Sequence, residues 1–282
     1  MKILIFGAEG MLGKDMVCIL SERHQVVGRD INHLDIRGQD RVREEIGTVQ
    51  PDVVINAAAY TDVDGCESHK EMAFSINAEG TRNIALGCLK TGARMIHLST
   101  DYVFDGSSPI PYREEDPPNP INIYGASKRE GESYIEKNLT NYLLIRTAWL
   151  YGVHGKNFVK AILRQAAEKK ELRVVNDQRG SPTFTKDLIW GIMRLIDTDV
   201  TGKVHVTNSG SCTWFEFAKG ILKEKGIRDV QVVPISSHDL GRAAKRPANS
   251  LLDCSMFEKL TGARMRPWEE ALSEYLCPFS RE

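Results

Sequence analysis

Several features that mark particular protein classes are absent from this sequence. Lys and Arg number 37 against 38 Asp and Glu, a formal net charge of -1, so no excess charge is present to hold nucleic acid or an acidic membrane. No apolar run is long enough to cross a bilayer, and no charged leader with an apolar signal core is recognised. The six cysteines include no CxxC pair, which predicts neither a zinc site nor a disulfide framework. We therefore expect a cytoplasmic protein with free thiols.

The first half of the chain alternates short apolar strands with helical patterns. Strands apolar on both faces are typical of a parallel sheet covered by helices on both sides. This predicts an α/β fold with one domain over residues 1–150, to which segments near 172–206 add strands and helices, and a smaller lobe formed mainly by 151–282. The predicted strands are Lys2–Phe6, Gln25–Gly28, Asp52–Asn56, Arg94–Ser99 and Tyr142–Arg146, and the predicted helices Met11–Ser21, Glu67–Leu89 and Asn122–Lys137.

A glycine-rich turn follows the first predicted strand and opens the first helix. It runs Gly7-Ala8-Glu9-Gly10-Met11-Leu12-Gly13. Glycines let the backbone approach a pyrophosphate, and a helix N-terminus supplies free N–H groups and a positive dipole end. The spacing is G-x-x-G-x-x-G rather than the commonest G-x-G-x-x-G, but the strand–turn–helix context favours a dinucleotide site.

Residues after the second and third strands extend this predicted site. Asp30 is placed to bind an adenosine ribose hydroxyl, whereas Arg29 favours a 2′-phosphate. The pair favours NADPH and leaves NADH open. Asp35 and Ile36 are predicted to flank the adenine ring. Small residues after the third strand permit close approach of a cofactor, and the contacts predicted there are Ala57, Ala58, Ala59, Tyr60 and Thr61.

Tyr124 and Lys128 indicate the chemistry. They lie four residues apart in a predicted helix, so both side chains project from one face. An ammonium beside a phenol favours the phenolate, which would make Tyr124 a proton donor and acceptor near neutral pH. Thr100, at the end of the fourth strand, could hydrogen-bond a substrate carbonyl. Together with the glycine turn, this pattern predicts hydride transfer with a nicotinamide cofactor.

Two loops are predicted to serve the substrate. The segment Asp105–Pro120 holds five prolines, and it is either an active-site lid or an ordered connection. Arg242, Lys245 and Arg246 form a basic loop, and guanidinium groups bind diphosphates in a bidentate manner. A nucleotide-diphosphate substrate could use this loop.

These motifs resemble the extended short-chain dehydrogenase/reductase family, in particular its reductases of dTDP-linked 4-dehydro-6-deoxy sugars. The resemblance runs nearly end to end. Beyond the glycine turn it includes Asn56-Ala57-Ala58-Ala59, Thr61-x-Val63-Asp64, Ser99-Thr100-Asp101-Tyr102-Val103-Phe104, Tyr124-Gly125-x-Ser127-Lys128, Arg146-Thr147-x-Trp149, Asn157-Phe158, Gln178-x-Gly180-x-Pro182-Thr183 and Arg246-Pro247. It implies a Rossmann-type doubly wound parallel sheet with a smaller C-terminal α/β substrate-binding lobe.

The resemblance also implies a role for individual residues. Tyr124 would protonate the C4 oxygen as hydride arrives, Lys128 would hold the nicotinamide ribose and lower the Tyr124 pKa, and Thr100 would hydrogen-bond the same oxygen. The implied cofactor contacts add Met11, Leu12 and Leu98 to Gly7, Gly10, Gly13 and the residues named above. The implied substrate contacts are Thr100, Asp101, Tyr102, Trp149, Asn157 and Arg246.

Alternatives to this reductase stay open. Related dehydratases carry an Asp-Glu pair after the threonine, whereas here Tyr102 follows Asp101, which favours simple carbonyl reduction. Another nucleotide-sugar epimerase or dehydratase is one alternative. A non-catalytic regulatory subunit resembling that of methionine adenosyltransferase is the other. Some family members bind Mg²⁺ between carboxylates at a dimer interface, where this chain has Asp15, so the resemblance allows Mg²⁺ and a homodimer.

Overall fold

A six-stranded parallel sheet organises the computed structural model, which describes residues 1–277. The strands of the described residues are β1 (Lys2–Phe6), β2 (Gln25–Arg29), β3 (Val53–Asn56), β4 (Arg94–Thr100), β5 (Tyr142–Thr147), β6 (Leu150–Tyr151), β7 (Glu171–Val175), β8 (Arg179–Gly180), β9 (Thr183–Phe184), β10 (Gly202–His205), β11 (Cys212–Thr213) and β12 (Gln231–Ile235). The helices are α1 (Met11–Leu20), α2 (Gln39–Val49), α3 (Val63–Ser68), α4 (Lys70–Phe74), α5 (Thr81–Thr91), α6 (Ile123–Asn138), α7 (Phe158–Glu168), α8 (Thr185–Ile196), α9 (Trp214–Glu224), α10 (Ser237–Leu240), α11 (Ser255–Thr261) and α12 (Trp268–Leu276).

The order of the strands places a crevice beside β1. The sheet runs β10-β5-β4-β3-β1-β2, and every neighbouring pair is parallel. From β1 the chain moves outward to β2 and then returns to the other side of β1 as β3. In an open α/β sheet such a reversal separates the loops at the carboxyl ends of the two strands and leaves room for a ligand.

Helices cover both faces of the sheet, as the apolar strands predicted. On one face α1, α8 and α11 pack against the sheet, and Met16, Leu188 and Phe257 are fully buried there. On the other face α2, α5 and α6 bury Ile46 and Ile84. The predicted α/β class with a doubly wound parallel sheet is confirmed.

A smaller lobe has its own hydrophobic cluster. There α7 and α9 pack against β7, which pairs in parallel with β12, and α12 packs against α9 and β9. The segment near 172–206 is divided, because α8 and β10 join the main sheet whereas β7 belongs to the lobe. Residues 278–282, the end of the second predicted unit, lie outside the described residues.

The predicted long helix Glu67–Leu89 is correct only in part, because the chain is helical from Lys70 to Thr91 but is interrupted at His69. The chain leaves helical geometry at His69 (φ −122°, ψ 52°), and Ser75–Gly80 is a π-helical turn between α4 and α5. The Asn77 amide accepts a hydrogen bond from the Tyr60 backbone N–H at 2.8 Å and donates one to the Tyr60 carbonyl oxygen at 3.1 Å. This pairing holds the widened turn against the loop after β3. A π-turn of this kind frequently marks a functional site.

The loop Asp105–Pro120 is tethered to the rest of the molecule. The Tyr112 N–H donates to the Leu251 carbonyl oxygen at 2.8 Å, and the buried Glu114 carboxylate accepts from the His205 N–H at 2.8 Å. Tyr112 also stacks on Phe104, with ring centroids 4.2 Å apart. These contacts favour the ordered connection over the lid.

Two expectations from composition can be compared with the structure. All six cysteines are free. Over residues 1–277, no helix has the length and apolarity that a membrane crossing requires.

Candidate functional site

A groove of about 490 Å³ lies at the carboxyl ends of β1, β2 and β3. The chain reversal beside β1 opens it, as expected for this topology. Ten of the predicted cofactor residues line it: Gly7, Gly10, Arg29, Asp30, Asp35, Ile36, Ala57, Ala58, Ala59 and Tyr60. The sequence interpretation missed five further lining residues: Phe6, Glu9, Ile31, Leu34 and Ile76.

Glycine is required at two positions of the turn after β1. Gly7 has φ +81°, and a Cβ there would lie 2.6 Å from the Ala58 backbone nitrogen. A Cβ on Gly13 would lie 2.0 Å from the Gly7 carbonyl oxygen. The turn therefore packs backbone against backbone, and this leaves space for a pyrophosphate at the N-terminus of α1. The observation fits a dinucleotide.

Other predicted cofactor residues lie around this groove rather than in its lining. Leu12 is buried in the sheet core, and Thr61 is exposed. Met11 begins α1 beside Gly155 of the second lobe, where a Cβ on Gly155 would lie 3.3 Å from the Met11 Cβ.

Asp30 and Arg29 end β2 with different partners. The Asp30 carboxylate accepts hydrogen bonds from the backbone N–H groups of Glu9 at 3.0 Å and Ile31 at 2.8 Å. The Arg29 guanidinium instead pairs with Glu45 of α2, with Nε and Nη2 at 2.8 and 2.7 Å from Oε1. The two side chains predicted to read the ribose are therefore both at the groove, but Arg29 is already bound to a carboxylate.

Thr100 and Tyr124 are brought together by the packing of α6 on the end of β4. The Asn122 side chain caps α6 by accepting from the Gly125 N–H at 2.7 Å. A Cβ on Gly125 would lie 2.0 Å from the Tyr102 carbonyl oxygen, so glycine lets the first turn of the helix contact the segment after Thr100. The Tyr102 and Tyr124 rings then meet edge to face, with centroids 5.9 Å apart.

Lys128 is buried, and its ammonium has two acceptors. Nζ donates to the Leu98 carbonyl oxygen at 2.6 Å and lies 3.2 Å from Nε2 of His97. Burial lowers the pKa of Lys128 to about 8, and Glu132 opposes this shift. Burial, with the nearby Lys128 charge, lowers the pKa of His97 well below its usual value. The imidazole is therefore neutral, and its Nε2 can accept from Lys128.

The predicted lowering of the Tyr124 pKa is not what the structure shows. Burial raises the pKa of Tyr124 above its ordinary value, and the Thr100 hydroxyl opposes this shift only in part. Desolvation disfavours the phenolate, and the Lys128 ammonium is engaged by Leu98 and His97. Tyr124 therefore carries its proton at neutral pH and is suited to donate it.

Asp101 is a buried carboxyl group next to Thr100. The Thr100 hydroxyl donates to Asp101 Oδ1 at 3.0 Å, and Oδ2 has no hydrogen-bond partner among residues 1–277. Burial raises the pKa of Asp101 to about 6, and the hydrogen bond from Thr100 opposes this rise in part. An oxygen of this kind can accept a hydroxyl group of a bound molecule.

Trp149 and Asn157 have different surroundings. The Trp149 ring stacks on Trp214, with centroids 3.5 Å apart and planes 7° apart, and its backbone has φ +47°. Asn157 caps α7 by accepting from the Lys160 N–H at 3.0 Å, and its amide donates to the Gly152 carbonyl oxygen at 2.8 Å. Both ends of the Asn157 amide are thus engaged in the fold, which does not favour the predicted substrate contact.

Arg246 is held in a bidentate ion pair. Its Nη1 and Nη2 donate to the two carboxylate oxygens of Asp64 at 2.6 and 2.8 Å. These hydrogen bonds are the main reason why the pKa of Asp64 falls to about 2. Arg242 lies 3.3 Å from the same carboxylate. The basic loop is therefore joined to α3, close to the loop that follows β3.

A buried ion pair joins α6 to β5 and supports the strands that carry the candidate active site. Glu132 of α6 accepts from Arg146 Nε at 2.9 Å and Nη2 at 2.8 Å, and from the Ser99 hydroxyl at 2.6 Å. Neither Glu132 nor the Arg146 side chain is exposed. In the sequence, only the motifs that contain Ser127 and Arg146 indicated this network. The pairing of Arg146 with Glu132 could be identified only from the fold.

Within residues 1–277 of one chain, Asp15 is not part of a complete Mg²⁺ site. Asp15 Oδ2 accepts from the Thr185 hydroxyl at 2.5 Å, and its Oδ1 lies 3.5 Å from His154 Nε2. Within the described residues, no group of three His, Cys, Asp or Glu side chains could hold a metal ion. A divalent cation needs several oxygen ligands, so Mg²⁺ has no support here.

Comparison with known proteins finds similarity over the whole chain. The family model for the RmlD substrate binding domain matches residues 1–281. The spore coat polysaccharide biosynthesis protein SpsK of Bacillus subtilis (strain 168) is 43% identical, with 98% of this chain and 96% of that protein covered. A dTDP-4-dehydrorhamnose reductase of Streptomyces griseus is 41% identical, with coverages of 96% and 91%. The crystal structure of the dTDP-4-dehydrorhamnose reductase of Bacillus anthracis str. Ames in complex with NADP superposes with a TM-score of 0.95 at 42% identity, covering 98% and 99% of the two chains.

Proposed function

Because this chain belongs to the RmlD family of dTDP-4-dehydrorhamnose reductases, we propose that it reduces the C4 keto group of dTDP-4-dehydro-6-deoxy-L-mannose to give dTDP-L-rhamnose. The reaction is the last step in the synthesis of this sugar donor for cell-surface polysaccharide. The observation that carries the proposal is the hydrogen bond between Thr100 and Tyr124, one helical turn from the buried Lys128, at the carboxyl edge of a sheet whose neighbouring groove fits a dinucleotide.

Tyr124 acts as the proton donor in this proposal. When bound, the nicotinamide supplies the hydride to C4. The partly buried Tyr124 phenol keeps its proton at neutral pH and gives it to the oxygen at C4, where negative charge develops. Thr100 donates a hydrogen bond to the same oxygen and orients the carbonyl.

Lys128 acts as the group that holds the nicotinamide ribose. An ammonium has three N–H donors. Leu98 and His97 take two of them, so the third is available for a ribose hydroxyl.

The sugar nucleotide is recognised by residues from both lobes. Asp101 accepts a sugar hydroxyl through its unpaired carboxylate oxygen, and Tyr102 and Trp149 contact the ring. Arg246 binds the diphosphate through the N–H donors that Asp64 and Ala244 leave free, since guanidinium groups bind phosphate oxygens strongly. Tyr102 occupies the position where related dehydratases have a second acid, which supports reduction without loss of water.

We propose NADPH or NADH as the reductant. The glycine turn and the ribose-side residues fit either dinucleotide, and a 42% identical relative was solved with NADP. Free thiols accord with a reducing compartment, so we place the reaction in the cytoplasm. A homodimer stays a prediction of the family resemblance, to be tested by sedimentation velocity.

The test is a coupled assay at the nicotinamide absorbance. Purified protein is mixed with NADPH or NADH and with enzymatically generated dTDP-4-keto-6-deoxyhexose plus its epimerase. We expect oxidation that requires both the sugar and the protein. Cofactor binding without oxidation would contradict the proposal and favour a non-catalytic regulatory subunit. Cofactor that recycles without net consumption would favour an epimerase or dehydratase.

A further inference from the structure

The cofactor groove contains a guanidinium group, that of Arg29, which already has hydrogen-bond partners within the protein. Arg29 uses Nε and Nη2 on Glu45 and donates from Nη1 to the Gly28 carbonyl oxygen at 2.9 Å. The side chains are only 31% and 21% exposed, so water screens this pair less than it screens a surface pair. A phosphate that is to bind Arg29 must compete with the Glu45 carboxylate.

Among the described residues of the groove lining, no other basic side chain could bind a phosphate in place of Arg29. Among the described residues that line the groove, Arg29 is the one basic side chain, against three acids, Glu9, Asp30 and Asp35. The Asp30 carboxylate is held in place by two backbone N–H groups. A carboxylate at this position accepts from a ribose hydroxyl and repels a 2′-phosphate.

Nearby cations outside the lining are also engaged. Arg37 pairs with Asp35, with Nη2 and Oδ2 2.5 Å apart. Arg41 donates from Nη2 to the His33 carbonyl oxygen at 3.3 Å. His33 Nδ1 lies 3.9 Å from Glu9. The ribose end of the groove is therefore acidic unless Arg29 is released.

We propose that Glu45 is a specificity-determining residue that sets the choice between NADH and NADPH by holding Arg29. The inference rests on the proposed use of a nicotinamide cofactor, and it requires no particular sugar. With the pair intact, NADH binds at least as tightly as NADPH. Removing the Glu45 charge releases the guanidinium to a 2′-phosphate and shifts the preference toward NADPH.

The test measures cofactor binding without any sugar. Dissociation constants of the purified protein for NADPH and NADH are obtained by nicotinamide fluorescence titration, for the wild type and for Glu45→Gln. A charge-assisted hydrogen bond contributes on the order of 1.5–3 kcal/mol, which corresponds to about ten-fold or more in affinity. We expect Glu45→Gln to tighten NADPH about ten-fold relative to NADH.

Two controls separate the proposed contact from general electrostatics. Glu44→Gln removes the same charge from an exposed position on the same helix, α2, and should leave the ratio of the two constants unchanged. In the double variant Arg29→Gln/Glu45→Gln the gain for NADPH should disappear. A gain that persists there belongs to another cation, such as Arg41, and would overturn the proposal.

Three further outcomes would also overturn it: a wild type that binds NADPH ten-fold more tightly than NADH, equal effects of Glu44→Gln and Glu45→Gln, or no binding of either cofactor. Failure of the sugar assay with normal cofactor binding would remove the proposed reaction and leave this inference standing.

Discussion

Nε2 of His97 lies 3.2 Å from Nζ of Lys128, in the buried space beneath the candidate active site. The imidazole is neutral, because burial and the Lys128 charge lower its pKa, so it accepts a hydrogen bond and does not repel the ammonium. A residue that the sequence interpretation did not select thus helps to keep Lys128 charged and in place.

The burial of Lys128 predicts an alkaline limit to cofactor use. Its pKa is lowered to about 8, so Lys128 is protonated below this pH and loses its charge above it. We expect kcat/KM for the cofactor to be level near pH 7 and to fall above an apparent pKa of about 8. In His97→Leu the ammonium loses an acceptor, so the fall should begin at lower pH. A profile that stays level to pH 9.5 would contradict this assignment.

Replacing Tyr124 by Phe should remove the proton donor. Loss of a positioned general acid costs on the order of 10²–10⁴-fold in rate, so we expect kcat to fall by about that factor. The dissociation constant of the cofactor should change little, since Lys128 keeps its contacts with Leu98 and His97. Steady-state kinetics and fluorescence titration measure the two quantities. Turnover at the wild-type rate would exclude Tyr124 as the acid.

Replacing Arg246 by Gln should weaken binding of the sugar nucleotide. A guanidinium bound to a diphosphate contributes on the order of 1.5–3 kcal/mol, so KM for the sugar should rise about ten-fold, with cofactor affinity unchanged. The matched control is Arg242→Gln, whose side chain is 57% exposed and should matter less. If Asp64→Asn raises KM as much as Arg246→Gln, the ion pair only tethers the loop.

Replacing Glu132 by Gln should destabilise the fold. The variant leaves the fully buried Arg146 guanidinium without its countercharge, and breaking such a pair costs on the order of 3–5 kcal/mol in the free energy of unfolding. Urea denaturation measures the change. Glu136→Gln, which breaks pairs with Arg129 and Lys203 at a partly exposed site, should cost less than about 1 kcal/mol. Equal losses of unfolding free energy in Glu132→Gln and Glu136→Gln would show that burial does not decide the effect.

Adding a methyl group at Gly125 should displace Tyr124. A Cβ there would lie 2.0 Å from the Tyr102 carbonyl oxygen, so α6 must shift away from the end of β4. A displacement near 1 Å costs about 10²-fold in rate, and we expect kcat of Gly125→Ala to fall accordingly. Gly47→Ala in α2, with nothing within 4 Å of the added Cβ, should keep full activity. Activity of Gly125→Ala near that of the wild type would contradict this reasoning.

Local patterns determined much of the architecture. Apolar runs of strand length, separated by helical patterns, predicted β1 to β5 because a strand buried on both faces has apolar side chains throughout. The glycine turn predicted a dinucleotide groove because few side chains permit such close backbone approach. The π-helical turn inside the predicted helix Glu67–Leu89 was missed because it is held by the contact of Asn77 with Tyr60, 17 residues away.

The partners of the charged residues were decided only by the tertiary structure. The sequence indicated no ion-pair partner for Arg29 or Arg246, yet in the folded protein Glu45 and Asp64 lie beside them. The pKa of Tyr124 depends on how far its side chain is removed from water, which the neighbouring residues in the sequence do not show. The direction of its pKa shift was therefore predicted wrongly. The sequence alone therefore determined which elements form and where the chemistry lies. The protonation state of each functional side chain and the partners that it binds are set by residues that are distant in the chain, because burial and ion pairing are properties of the folded surroundings.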